Sequence, residues 1–438
     1  MKNGKLTVAI VGMGFGSCFL PIYLKHPDVE HVIMVDTNPD QLKALADMYL
    51  LDESYYTTDF EAVLQNPDVD AVHLVIPPAL HAPMSVQVLN AGKHCACTIP
   101  MGMSMKELED VIKARKASGK HYMFMETSVY TREYLYVKEL YESGAMGKLQ
   151  YMRCAHYQDM EGWPSYWDGF PPLAHPTHAI GPCFALAGQR PVSVFGRGSG
   201  KVRPELEKQY GCPFAFESAL VALEDGETTV EMERFLYHVA RGYSECFNIY
   251  GENKSFEWDQ LNGDKHVMFS RDLVWENENR GGKIDEEYVQ VPDYAHLLPD
   301  VIGRFTYEVA YDEVNPHLSF KQGGGHGGSH PHLVHEFVTS ILEDRTPFPS
   351  DIDAAYWTGV GLLAHESAME GAAQVRRAVT GAGKNAVSPK KPNQSFCLKL
   401  SIQPRGLALI LPSNASSAKT AVKASPTIKK CLRHSQLP

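Results

Sequence analysis

No run of eighteen or more apolar residues occurs in the 438-residue chain, so no helical membrane span is expected. No C-x-x-C pair occurs either, and the nine cysteines are odd in number and scattered. Cys95 and Cys97 alternate onto one face of one strand, too parallel to bridge well. Reduced thiols and a cytoplasmic location are the expectation. The N-terminal apolar run has no small-residue cleavage site. It opens into glycines and so reads as a first strand rather than a secretory signal. No internal repeat is found. From Lys384 onward acidic residues are missing, where ten Lys or Arg stand against none. The net charge of −11 therefore leaves −21 on the remainder. That argues against nucleic acid or an anionic membrane as partner. The Ser- and Pro-rich basic end, residues 379–438, reads as a disordered tail.

What is there begins with alternation. Leu6–Val11, His31–Val35, Ala71–Ile76, His94–Thr98 and His121–Met125 read as apolar strands. Helical spacing lies between them from about Phe15, at Asp40–Tyr49, near Phe60–Gln65, at His81–Asn90 and at Met105–Ala117. Continuous apolar strands separated by helices imply a doubly wound parallel sheet covered on both faces, here residues 1–125. In residues 126–378 the pattern changes. Val192–Arg197, Ala219–Leu223, Thr228–Phe235 and Glu245–Tyr250 read as strands, with hairpin chemistry at Asp225-Gly226. Helices return at His332–Glu343 and Ala354–Glu370. The fold class is therefore α/β: an N-terminal Rossmann sheet and a C-terminal α/β domain built on a large, mostly antiparallel sheet.

The first strand runs into Gly12-Met13-Gly14-Phe15-Gly16-Ser17. A phosphate-binding turn needs a first glycine for the bend and a second for close approach of backbone N–H groups to a pyrophosphate. Gly12 and Gly14 meet those needs; the third glycine should fall at position 17, where Ser17 stands after Phe15 and Gly16, and a small residue there still permits close helix–strand packing. Asp36 follows 24 residues after Gly12, at the end of the second strand. A carboxylate there accepts from both ribose hydroxyls and repels a 2′-phosphate, which favours NAD over NADP.

The glycine turn, VIPPALHAPMSVQVLNAGKH (Val75–His94), KELYESGAMGKLQYMR (Lys138–Arg153) and a histidine-centred motif together resemble the Gfo/Idh/MocA oxidoreductases over roughly residues 5–372. The resemblance implies a Rossmann domain, a sheet domain that often mediates homo-oligomers, and a sugar or cyclitol substrate. It also implies a cofactor-contacting turn at Pro77, Pro78 and His81. Where such enzymes carry Glu-Lys-Pro, this chain has Thr98-Ile99-Pro100. Ile99 cannot donate, accept or titrate, and Ala174 stands where a catalytic Asp would precede His178. PTHAIGP (Pro176–Pro182), GGHGG (Gly324–Gly328) and Glu126-x-x-x-Tyr130 are similar to motifs of NAD-dependent glycoside hydrolases of the α-N-acetylgalactosaminidase type. Those enzymes keep NAD bound, oxidise a sugar C3 hydroxyl, eliminate the glycosidic substituent, add water and return the hydride. The resemblance makes the residues matching Tyr130 and His178 functional. The residue three before that histidine is usually Tyr; here it is His175.

Oxidising a ring alcohol needs a base in hydrogen-bond reach, and an imidazole suits that task. His178 is the candidate, with His175 and Tyr130 next, and Glu126 is placed to orient the nicotinamide amide or ribose. Tyr157, Asp159, Trp163 and Trp167 lie in an aromatic and acidic segment suited to a sugar face and its hydroxyls, and His326 stands in a glycine loop that lets it approach the substrate. His330, His332 and His335 lack a known zinc spacing, so no metal is expected. Ser329 capping a helix with Pro331 in its first turn is the plain account of that run. Alongside the oxidoreductase reading stand two others: a hydrolase or lyase working through transient oxidation, and a non-catalytic NAD-binding regulator.

Overall fold

The computed structural model describes residues 3–261, 263–271, 282–307, 309–313, 315, 319–321 and 326–371. The basic tail, residues 379–438, and Gly324–Gly325 of the GGHGG run lie outside the described residues.

Six strands form the first sheet: β1 Leu6–Val11, β2 Val29–Val35, β3 Tyr56–Thr57, β4 Ala71–Leu74, β5 His94–Cys97 and β6 Tyr122–Phe124. All pairs are parallel, in the order β3-β2-β1-β4-β5-β6. The strand order reverses between β1 and β4, and the carboxyl ends at such a reversal form a ligand crevice. β1 is buried throughout, as a strand covered on both faces must be. The helix expected from Phe15 instead comes as two pieces, Met13–Gly16 and Leu20–Lys25. Pro21 has no N–H to donate back to Ser17, so the turn between them stays irregular.

The second sheet has eight strands: β7 Leu149–Tyr157, β8 Pro191–Ser199, β9 Phe216–Leu223, β10 Thr229–Phe235, β11 Ser244–Gly251, β12 Lys254–Glu257, β13 Val267–Arg271 and β14 Ile284–Tyr288. Their order is β14-β13-β12-β11-β7-β10-β9-β8. Only the β10–β7 pair is parallel among them. Asp225 closes the β9–β10 hairpin by accepting from the backbone of Glu227 and Thr228, while Gly226 takes a φ of 72°. β7, in the middle of the sheet, has no counterpart among the strands expected from the sequence. Its alternation is irregular, with Cys154, Ala155 and His156 buried in succession.

The helix Thr177–Ala187 packs on β7 and on β11. The helix expected at His332–Glu343 spans Ser329–Leu342, and its cap is Gly328, not Ser329. Gly328 holds a φ of 83°, and a Cβ there would lie 2.6 Å from the Thr306 carbonyl oxygen. That close approach takes the cap position and moves Ser329 into the first turn.

Candidate active site

At the end of β1 the backbone of Gly12 takes a φ of 90°. A Cβ there would lie 2.1 Å from the Val75 carbonyl oxygen, just beyond β4. Only glycine allows the two strand ends to close on each other. At Gly14 nothing lies within 4 Å of where a Cβ would sit, so that backbone is open to a ligand. Asp36 accepts from the backbone N–H of Met13 at 2.7 Å and of Asn38 at 2.9 Å. Asn38, not Asp36, caps the following helix. A cradle open at Gly14 with a half-buried carboxylate beside it fits a dinucleotide.

His81 ties this crevice together. Its ring nitrogens lie 2.6 Å from the Pro100 carbonyl and 2.7 Å from the Ile76 carbonyl. Burial disfavours the charged ring and holds its pKa below the ordinary value, against the pull of both carbonyls. The Thr98 hydroxyl donates to Leu74 O at 3.2 Å and lies 3.3 Å from His81. Pro77 caps the helix Pro78–Asn90. Ile99 is 8% exposed and belongs to the apolar core.

His178 stands in the first turn of Thr177–Ala187. Its Nδ1 lies 2.7 Å from Glu126 Oε1 and 3.8 Å from Glu245 Oε2. Gly181, one turn further, makes this possible: a Cβ there would sit 3.3 Å from Glu126 Cγ and 3.1 Å from Ser128 Oγ. Glu126 is fully buried just beyond β6 and also accepts from Ser128 N. Burial pulls the His178 pKa down, but attraction to Glu126 and Glu245 outweighs it, leaving the imidazole above its ordinary value. Burial pushes Glu126 up, and its bond to the imidazole more than offsets that.

The second sheet adds a row that the sequence reading does not contain. Arg234 of β10 and Glu245 of β11 both pair with His156 of β7. Each occupies an inward position in a strand whose other inward residues are apolar. A charge in an apolar alternation is the signal that identifies such residues. Arg234 donates to His156 O at 3.2 Å and lies 3.0 Å from His175 Nδ1; burial pulls its pKa down to about 9. Burial pushes Glu245 up, and Tyr243 donates its hydroxyl to Glu245 Oε1. Five buried polar atoms here have no hydrogen-bond partner: Glu126 Oε2, both nitrogens of His156, Arg234 Nε and Glu245 Oε2. Such atoms cost about 1–3 kcal/mol each when left unpaired, and a polyhydroxylated ligand would satisfy them.

The other sequence-derived candidates divide. His175 lies beside His178, ring centroids 5.2 Å apart. His326 links the histidines to the glycine turn, 6.1 Å from His178 and 5.6 Å from Phe15. Trp167 stands edge-on to His175 at 5.8 Å, with Trp163 against it at 5.7 Å. Tyr130 is not brought to His178: its hydroxyl donates to Phe348 O at 2.8 Å and its ring stacks on His332. Tyr157 follows His156 on β7 and therefore faces the other side, donating to Glu233 and stacking on Phe235. Asp159 accepts from Glu161 N in the following turn. His332 and His335 do not converge with His330: His335 bonds His26, and His330 bonds His326.

A parallel sheet with a glycine crevice, beside a sheet carrying a buried histidine–carboxylate pair, is a dinucleotide-binding architecture. Residues 6–126 match the family described as an oxidoreductase family with an NAD-binding Rossmann fold. The match covers the first sheet and supports there the resemblance to the Gfo/Idh/MocA oxidoreductases. Among curated relatives, a "Glycosyl hydrolase family 109 protein" of Stenotrophomonas maltophilia is 22% identical, covering 84% of this chain and 87% of its own. One from Shewanella amazonensis is 27% identical, covering 84% and 83%. Among solved structures, aldose-aldose oxidoreductase from Caulobacter crescentus aligns with a TM-score of 0.63 at 20% identity, over 85% of this chain and all of that one. A levoglucosan dehydrogenase complexed with NADH and levoglucosan aligns with a TM-score of 0.64 at 20% identity, over 85% and 99%. These structural likenesses establish the fold.

Proposed function

We propose that the protein uses NAD to oxidise a ring hydroxyl of a sugar or cyclitol, with His178 as acid–base and Glu126 as its positioning residue. The observation that carries this is the buried Glu126–His178 pair at 2.7 Å, reached from the glycine turn through Phe15 and His326. NAD, when bound, would supply the hydride acceptor, and Gly12, Gly14 and Asp36 would hold it. Glu126 takes the Nδ1 proton of His178 in a hydrogen bond, which leaves Nε2 to receive the hydroxyl proton. The attraction that raises the imidazole pKa also makes it a stronger base. Arg234 and Glu245 offer the donor and acceptor that orient neighbouring hydroxyls, and Trp167 with Trp163 supplies an apolar wall. Residues 1–125 form the cofactor half and residues 126–378 the substrate half.

A second reading has its own support. The curated relatives spanning 84% of the chain carry a glycoside hydrolase name, and Ile99 removes the lysine expected of the dehydrogenases. In that reading the same oxidation at C3 is transient: the ketone acidifies the neighbouring proton, the glycosidic substituent leaves, water adds and the hydride returns. One assay separates the two. Purified protein is denatured to release and identify its cofactor, and the native protein is offered free sugars, cyclitols and aryl glycosides in parallel. NADH accumulating with a free sugar or cyclitol supports net oxidation. Aglycone released without NADH overturns it in favour of hydrolysis. Cofactor release with neither product, and no effect of His178→Ala, leaves a binding protein.

A further inference from the structure

Among the described residues, His178, Glu245 and His326 each offer one ligand atom, and these atoms lie within 4.8 Å of one another. They come from three separate elements: the helix Thr177–Ala187, strand β11, and the turn before Ser329–Leu342. Two imidazoles and one carboxylate form the donor set of an open zinc site, in which a fourth position remains for water or substrate. Bonds of about 2.0–2.2 Å would draw tetrahedral donors to about 3.5 Å from one another, so the set needs a closure of about an ångström. The outer contacts are those a metal-binding histidine requires. Nδ1 of His178 is held by Glu126 at 2.7 Å, and Nδ1 of His326 by His330 at 3.1 Å. Partners of this kind fix the orientation of a metal-binding ring, and Nδ1 of His178 also lies 3.8 Å from Glu245 Oε2. Glu245 is 7% exposed, and its Oε2 has no hydrogen-bond partner.

A second group, Cys212, Glu217 and His365, also brings its ligand atoms within 4.8 Å of one another. There both carboxylate oxygens are already committed, to Leu173 N at 3.0 Å and to His365 Nδ1 at 2.7 Å. It closes on itself as a structural network.

We propose that His178, Glu245 and His326 bind one divalent transition-metal ion of the zinc class. Such an ion occupies a ring nitrogen of His178, the acid–base residue of the proposed function. Resting on that reading, metal loading inhibits turnover.

The test uses the untagged full chain, stripped with a chelator and titrated with Co²⁺ as a spectroscopic stand-in for zinc. The expected result is one equivalent bound per chain, with visible d–d absorption of a low-coordinate nitrogen–oxygen site, displaced by Zn²⁺. Glu245→Gln and His326→Ala each weaken Co²⁺ binding about tenfold or more. Cys212→Ser and His335→Ala leave it unchanged. Circular dichroism melting confirms folding, and His326→Ala decides should Glu245→Gln fail to fold. No bound equivalent in the stripped wild type overturns the site, as does loss of binding in Cys212→Ser or His335→Ala. Binding is read without substrate, so an inactive protein that still takes Co²⁺ overturns the functional reading and not the metal site.

Discussion

The two faces of the second sheet use the same residue types at adjacent positions to opposite effect. On one face Arg153 lies 2.6 Å from Glu233 and 3.6 Å from Glu231, with its side chain 45% exposed. On the other, Arg234, His156 and Glu245 form a buried row. The sequence steps between the two faces one residue at a time, from Glu233 to Arg234 and from His156 to Tyr157. On the open face Arg153 stays half in water, which screens its pairs and keeps their contribution small, although Glu233 is only 12% exposed. On the closed face every charge is desolvated and pKa values move apart: Arg234 and His156 are pulled down, while Glu245 is pushed up. Chemistry collects where water is excluded, whatever the charge content of the strand.

Substitutions can break or sharpen that contrast. The largest effect is expected from His178→Ala. Turnover should fall by about two to four orders of magnitude, while cofactor content after purification stays unchanged; undiminished turnover would remove the buried face from the chemistry. Next comes Gly12→Ala, which places a Cβ against the Val75 carbonyl oxygen in a backbone region costing about 1–3 kcal/mol. Cofactor content and melting temperature should both drop, and retention of both would show that the crevice has slack. Glu126→Gln is subtler. A base must be neutral to accept a proton, and Glu126 raises the His178 pKa, so the acid limb of kcat/KM lies above the ordinary imidazole range. Removing the charge moves that limb to lower pH and reduces the rate; a limb that stays put would assign it to another group. Smallest of all, Arg153→Gln should change stability by less than about 1 kcal/mol in denaturant titration, with turnover intact.

Legibility followed the same divide. Phe60–Gln65 and Leu6–Val11 have the bounds expected from the sequence, because period and glycine chemistry act within a few residues. β7 escaped because its buried run mimics neither strict alternation nor a fully apolar strand. Tyr130 and Tyr157 were legible as chemical candidates, but where a ring points depends on the packing of distant segments. Tyr130 reaches Phe348, 218 residues away.

Sequence alone determined the parallel sheet, the bend at Gly12, the carboxylate at Asp36 and the apolar residue at Ile99, since each follows from local periodicity or from what a side chain lacks. Tertiary structure alone decided that Glu126 meets His178 across 52 positions, and that Arg234, His156 and Glu245 line up across three strands. Strand register and the close approach at Gly181 bring those groups together, and the exclusion of water by the packed core sets their charge states.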